Sequence, residues 1–140
     1  MARHSYYCPI RWADMDVYGV VNNVAFLRYL EEARVDFVFR MAPTERDSFF
    51  RDGSVVVRHE IEYKNRLVHR REPVEIEMWV SHLQTSTVTI GYLVKDGRHV
   101  YATASTVMAP FDFRSQRPRR LTEAETEFFG KYVEEDVASG

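Results

Sequence analysis

Apolar and polar residues recur along the chain with two different periods, and the change of period divides it in two. Over residues 24–41 the spacing is helical: Phe26, Leu30, Ala33 and Phe37 share one face. Arg28, Glu32, Asp36 and Arg40 fall at i, i+4, i+8 and i+12 on another, a charged stripe expected to face water. Leu27, Tyr29, Val38 and Phe39 fill positions between the two, so most of the circumference is expected to be covered. Asn22 or Asn23 can cap the first turn.

After a polar connection holding Pro43, Asp47, Asp52 and Gly53, the period falls to two. Val55, Val57, His59, Ile61 and Tyr63 alternate with Val56, Arg58, Glu60, Glu62 and Lys64, which predicts a strand with one apolar and one charged face. Val74, Ile76, Met78 and Val80 repeat the device. Residues 85–95 and 99–110 are two further β-rich runs, joined through Asp96-Gly97, a dipeptide suited to a tight hairpin. A strand is also expected over residues 4–12, and a short closing helix over 122–133, where Thr122 precedes Glu123 and Glu125. With one long helix and sequential antiparallel strands, the sheet can bury its inner face only against that helix. The expected fold is α+β, a curved antiparallel sheet wrapped around one helix in a single domain spanning residues 1–140.

Composition narrows the function classes. A net charge of −2 gives no general reason to expect nucleic acid as a partner. No run reaches the roughly 18–20 apolar residues of a membrane span, and the first residues lack the apolar core of a secretory signal, so a cytoplasmic location without membrane attachment is expected. The single cysteine, Cys8, excludes an internal disulfide and is expected to be a packed side chain. His4, His59, His69, His82 and His99 have none of the short spacings of a zinc motif, so no metal is expected.

The chemistry concentrates where the first strand gives way to the helix. Asp14-Met15-Asp16 is followed by Gly19 and then by Val21-Asn22-Asn23 at the start of the long helix. A carboxylate on such a loop lies near the orphan N–H groups of a helix N-terminus, donors that can hold a developing oxyanion. Gly19 lets the backbone turn sharply or approach a ligand closely.

The string RWADMDVYGVVNNVAFLRYLEEAR, from Arg11 to Arg34, resembles the start of the 4-hydroxybenzoyl-CoA thioesterase-like hotdog family. That family's pattern is R-x-x-D-x-D-x-x-G-[HV]-V-N-N followed by an aromatic-rich helix ending in E-x-A-R. The resemblance implies a hotdog fold and hydrolysis of a fatty or aromatic acyl-CoA to free acid and CoA, without a cofactor. It places the catalytic carboxylate at Asp16 and gives the backbone N–H of Asn23 to the thioester carbonyl, with Gly19 in the turn between them. Asp14 becomes structural. Many relatives carry His after the glycine or at the helix start, where this chain has Val20 and Asn23. Asp16 either attacks the thioester or activates a water, and both routes stay open.

A second branch of the fold carries its acid on the helix, which brings in Glu31 and Glu32. Glu32 belongs to the charged stripe, and Glu31 is spaced for an i, i+3 ion pair with Arg34. For the phosphates of CoA two basic segments are candidates: Arg66, Arg70 and Arg71 beside His69, and Arg117, Arg119 and Arg120 after Arg114. The resemblance also implies a homodimer or homotetramer. The alternatives are an acyl-ACP thioesterase and a non-catalytic acyl-CoA binding module.

Overall fold

The computed structural model describes residues 3–40 and 53–134. Five strands form one antiparallel sheet: β1 (His4–Cys8), β2 (Ser54–Tyr63), β3 (Val74–Leu83), β4 (Val88–Lys95) and β5 (Val100–Asp112). Their spatial order is β1-β3-β4-β5-β2, so β1 and β2 are the edges, and a short β6 (Arg117–Pro118) pairs with the far end of β5. The sheet curls around α1 (Asn23–Val35), and α2 (Glu123–Gly130) closes the chain against β3. This is the hotdog arrangement.

The core is the meeting of two periodicities. Phe26, Leu30, Ala33 and Phe37 of the helical face are buried against Ile76, Met78, Val80, Ile90, Tyr92 and Val94. Each large apolar side chain so enclosed contributes roughly 1.5–3 kcal/mol relative to exposure. Asn22 caps α1 by accepting from the Ala25 N–H at 2.8 Å. Thr122 and Glu125 form a reciprocal capping box at the start of α2.

Five expectations change. The first strand ends at Cys8, and a 3₁₀ turn at Trp12–Asp14 replaces its predicted end. The helix leaves α geometry at Val35 and continues as a π turn over Asp36–Arg40; Met41 lies outside the described residues. Asp36, assigned to the water-facing stripe, is instead half-buried and meets His4 Nε2 at 2.6 Å, joining this turn to β1. The helix is also less enclosed than its composition suggests, with Val24 59% and Leu27 38% exposed.

The fifth concerns β2. Its apolar row is not buried: Val57 is 61% and Tyr63 47% exposed. β2 is an edge, and a bulge between Val56 and Arg58 breaks the alternation.

Candidate active site

The loop between β1 and α1 is held by Asp14. This carboxylate is 3% exposed, takes a bond from Arg11 at 2.9 Å and one from the Tyr29 hydroxyl at 2.6 Å. Its carbonyl oxygen accepts from both the backbone and side-chain N–H groups of Asn22. Burial pushes the Asp14 carboxyl up, but the bonds from Arg11 and Tyr29 together outweigh it and hold the group below the usual carboxylate range. Asp14 thus ties loop, cap and helix together.

Asp16 is held differently. Its Oδ1 accepts from the Tyr18 N–H at 2.8 Å and the Val20 N–H at 3.4 Å, an Asx-type turn. Among the described residues its second oxygen has no hydrogen-bond donor. The turn closes through Gly19, whose φ is +76° and whose Cβ position has no atom within 4 Å. Two residues beyond Val21, the N–H groups of Asn23 and Val24 open the helix without an acceptor among the described residues.

Asp16 lines a cavity of about 480 Å³ with Trp12, Met15, Gly19, Val68 and His69. The last two come from the connection between β2 and β3. A backbone bond from Val21 N–H to Leu67 O, 2.8 Å, docks that connection beside the loop, and buried Leu67 anchors it. His69 stands edge-on to Trp12, with ring centroids 5.6 Å apart. This gives a polarisable carboxylate, free helix-start donors, an imidazole and an apolar wall, a set suited to acyl transfer to water.

The model of the thioesterase-like superfamily matches residues 10–129. The chain belongs to that superfamily. It is a thioester hydrolase. Its fold superposes on a predicted thioesterase from Bacillus stearothermophilus with TM-score 0.84 at 21% identity, covering 96% of this chain and 98% of the other. A thioesterase from Thermus thermophilus, solved with coenzyme A and zinc, gives TM-score 0.77 at 26% identity over 91% of this chain and 92% of its own. The DHNA-CoA thioesterase of Staphylococcus aureus gives 0.81 at 20% identity over 94% and 91%. No curated protein matches the sequence. Among the described residues there is no grouping of three or more His, Cys, Asp or Glu suited to a metal, and no helix long and apolar enough to cross a membrane.

The two basic segments of this thioesterase-like chain are not brought together. Arg66 and Arg71 are exposed on the connection beside Asp16. Arg117, Arg119 and Arg120 sit at the opposite end of β5, which at about 3.3 Å per residue is roughly 30 Å from Tyr101 to Phe111. Two guanidiniums are already committed. Arg70 donates to Asp96 at 2.5 Å and to the Tyr101 hydroxyl at 3.1 Å, fastening its connection to the β4–β5 hairpin. Arg119 makes paired bonds of 2.8 and 2.9 Å to buried Glu125. Both are candidates for phosphate contact, and both face internal carboxylates in this structure.

Trp12, Val68 and His69 are neighbours of Asp16 that the sequence does not mark as such. Trp12 lies four residues before Asp16 on the same loop, whereas Val68 and His69 reach it only through tertiary docking, in which the backbone bond at Leu67 takes part. Cys8 is buried, and desolvation pushes its thiol up to about 12, as suits a packed side chain.

Proposed function

We propose that the chain is an acyl-CoA thioesterase in which Asp16 is the catalytic carboxylate. The observation that carries this is the asymmetry of the two aspartates. Asp14 has both oxygens engaged in holding the loop, whereas Asp16, which lines a cavity, has one oxygen fixed by backbone donors and the other without a donor among the described residues. A carboxylate held by one edge keeps its orientation while the other edge is available to the substrate.

In this reading the Asn23 N–H donates to the thioester carbonyl oxygen, and Gly19 sets the turn that presents Asp16 to the carbon. If Asp16 attacks, its oxygen forms a mixed anhydride as the C–S bond breaks, and CoA leaves as thiolate. Water then cleaves the anhydride to free acid and regenerated carboxylate. If Asp16 acts as base, it takes a proton from a water that attacks the carbonyl directly, and the C–S bond then breaks as CoA leaves and takes up that proton. Arg66 and Arg71 stand where they can meet the nucleotide phosphates. Arg117 and Arg120 lie too far along the sheet to join them within one chain, and would serve only a site shared with a second copy.

The proposed assembly is a homodimer or homotetramer, supported by the exposed apolar residues of edge strand β2. The neighbour solved with coenzyme A favours CoA over acyl carrier protein as carrier. The proposed setting is the cytoplasm. The test is turnover of an acyl-CoA panel, read by released thiol, in wild type and Asp16→Asn. Substrate binding retained with hydrolysis lost supports the reading. Equal turnover refutes it, and no turnover by wild type on any acyl-CoA favours the binding module.

A further inference from the structure

A second cavity lies at the other end of α1. It has a volume of about 320 Å³ and is lined by Arg34, Glu31, Val35, Val56, Met108 and Phe113, with Gly53 and Ser54 at its edge. It shares no residue with the cavity at Asp16. From Asn23 to Arg34 the helix alone rises roughly 16 Å at about 1.5 Å per residue.

Arg34 is the unusual member. Its spacing suggested an ion pair with Glu31, yet it turns inward, is 6% exposed, and makes one hydrogen bond among the described residues: 3.2 Å to the Tyr92 hydroxyl. Among those residues no carboxylate lies within ion-pair distance of it. The Tyr92 hydroxyl passes the polarity on to Thr106 at 2.8 Å, and Thr106 meets His59 Nδ1 at 2.9 Å. That chain orients the guanidinium but brings no negative charge to it. A buried cation with only a neutral partner among the described residues costs a substantial part of a domain's marginal stability, and a bound anion would offset that cost. The remaining walls are mostly apolar, and Glu31, the other charged group facing the cavity, is exposed.

We propose that this cavity binds a small organic acid, with the carboxylate on the Arg34 guanidinium and a short aliphatic or single-ring body against Val35, Val56, Met108 and Phe113. The guanidinium offers two parallel donors to a planar carboxylate, which an amide cannot match in charge. The site goes beyond the proposed catalytic role of Asp16. Thioester hydrolysis releases a carboxylic acid, so ligands of this class accompany turnover, but occupation of the Arg34 cavity does not require it.

The test uses the full-length protein, with benzoate and hexanoate as probes and benzamide and hexanamide as neutral controls, read by thermal unfolding and by calorimetric titration. The acids should raise the unfolding midpoint and the amides should not. Arg34→Met keeps the apolar stem and should weaken acid binding at least about tenfold, the equivalent of one charge-assisted hydrogen bond. Val56→Trp leaves Arg34 in place, fills the cavity and should abolish binding. Glu31→Gln removes a repelling charge and should tighten it. Asp16→Asn should leave affinity unchanged, which separates this site from the active site whether or not the thioesterase reading holds. Three outcomes overturn the proposal: no binding of either acid; binding indifferent to Arg34→Met and Val56→Trp; or failure of ligand-free Arg34→Met to reach wild-type stability, which would reveal an internal counter-charge.

Discussion

The Tyr29 hydroxyl donates to Asp14 Oδ2 at 2.6 Å, from the second turn of α1 back to the loop that precedes it. This bond fixes the position of the helix start relative to the first aspartate, and through Asn22 the orientation of the free N–H groups beyond it. It divides labour between two carboxylates of one short loop.

Asp14→Asn is therefore expected to act on stability. It leaves a buried hydroxyl and the Arg11 guanidinium without their charged acceptor, a loss of about 1–3 kcal/mol. Because the folded-state pKa is depressed, this contribution is present above the unfolded value of about 3.9 and is lost as pH falls through the lower folded value. Denaturation of wild type and variant should differ by a constant amount near neutrality, and the gap should close in acid. A gap unchanged down to the acid limit would remove the carboxylate from the account.

Asp16→Asn is expected to act on chemistry. The amide oxygen can still accept from the Tyr18 N–H, so the turn is retained while nucleophile and base are lost. We expect kcat to fall about 10²–10⁴-fold with substrate binding retained. Glu31→Gln and Glu32→Gln should keep most of the turnover. Collapse in Glu31→Gln with activity in Asp16→Asn would transfer the acid to the helix.

For the basic connection, Arg66 and Arg71 should separate from Arg70. Alanine at the first two should raise KM for acyl-CoA, more at low than at high salt, with little change in unfolding midpoint. Alanine at Arg70 should lower the midpoint, since it strips Asp96 and Tyr101 of their shared partner. The reverse pattern would exchange the assignments.

Gly91→Ala tests the packing of the outer sheet face. A Cβ there would fall 2.6 Å from Trp79 Cε2, and Trp79 is already pinned under the Arg3 guanidinium, 4.1 Å from its ring centre. Overpacking of this kind costs about 1–3 kcal/mol. A variant as stable as wild type in urea would show that the indole can move aside.

Most of the architecture was legible because strands β3, β4 and β5 are interior and their alternation is enforced by burial. β2 has the same alternation and a different fate, since nothing local to Val57 or Tyr63 says that the strand lies at an edge. The helix end is not legible because Phe37 and Val38 continue the apolar pattern past the point where Asp36 turns to His4. The Asp-x-Asp segment was visible because its parts are contiguous. Its other wall, Val68 and His69, arrives through tertiary docking. The inward turn of Arg34 was invisible for the same reason, as Glu31 offered an equally good partner on paper.

Gly19 sits at φ +76° with open space where a side chain would project. What position 19 demands is therefore handedness, not smallness. An L-alanine there is disfavoured although nothing would touch it, whereas a D-alanine introduced by chemical ligation has the mirror-image preference and fits the turn unstrained. Such a mirror-image residue would also narrow the unfolded ensemble, as Gly→Ala does at compatible sites, by about 0.4–1 kcal/mol. The loop that presents Asp16 could thus be stiffened by introducing a single stereocentre of D configuration, without adding one contact.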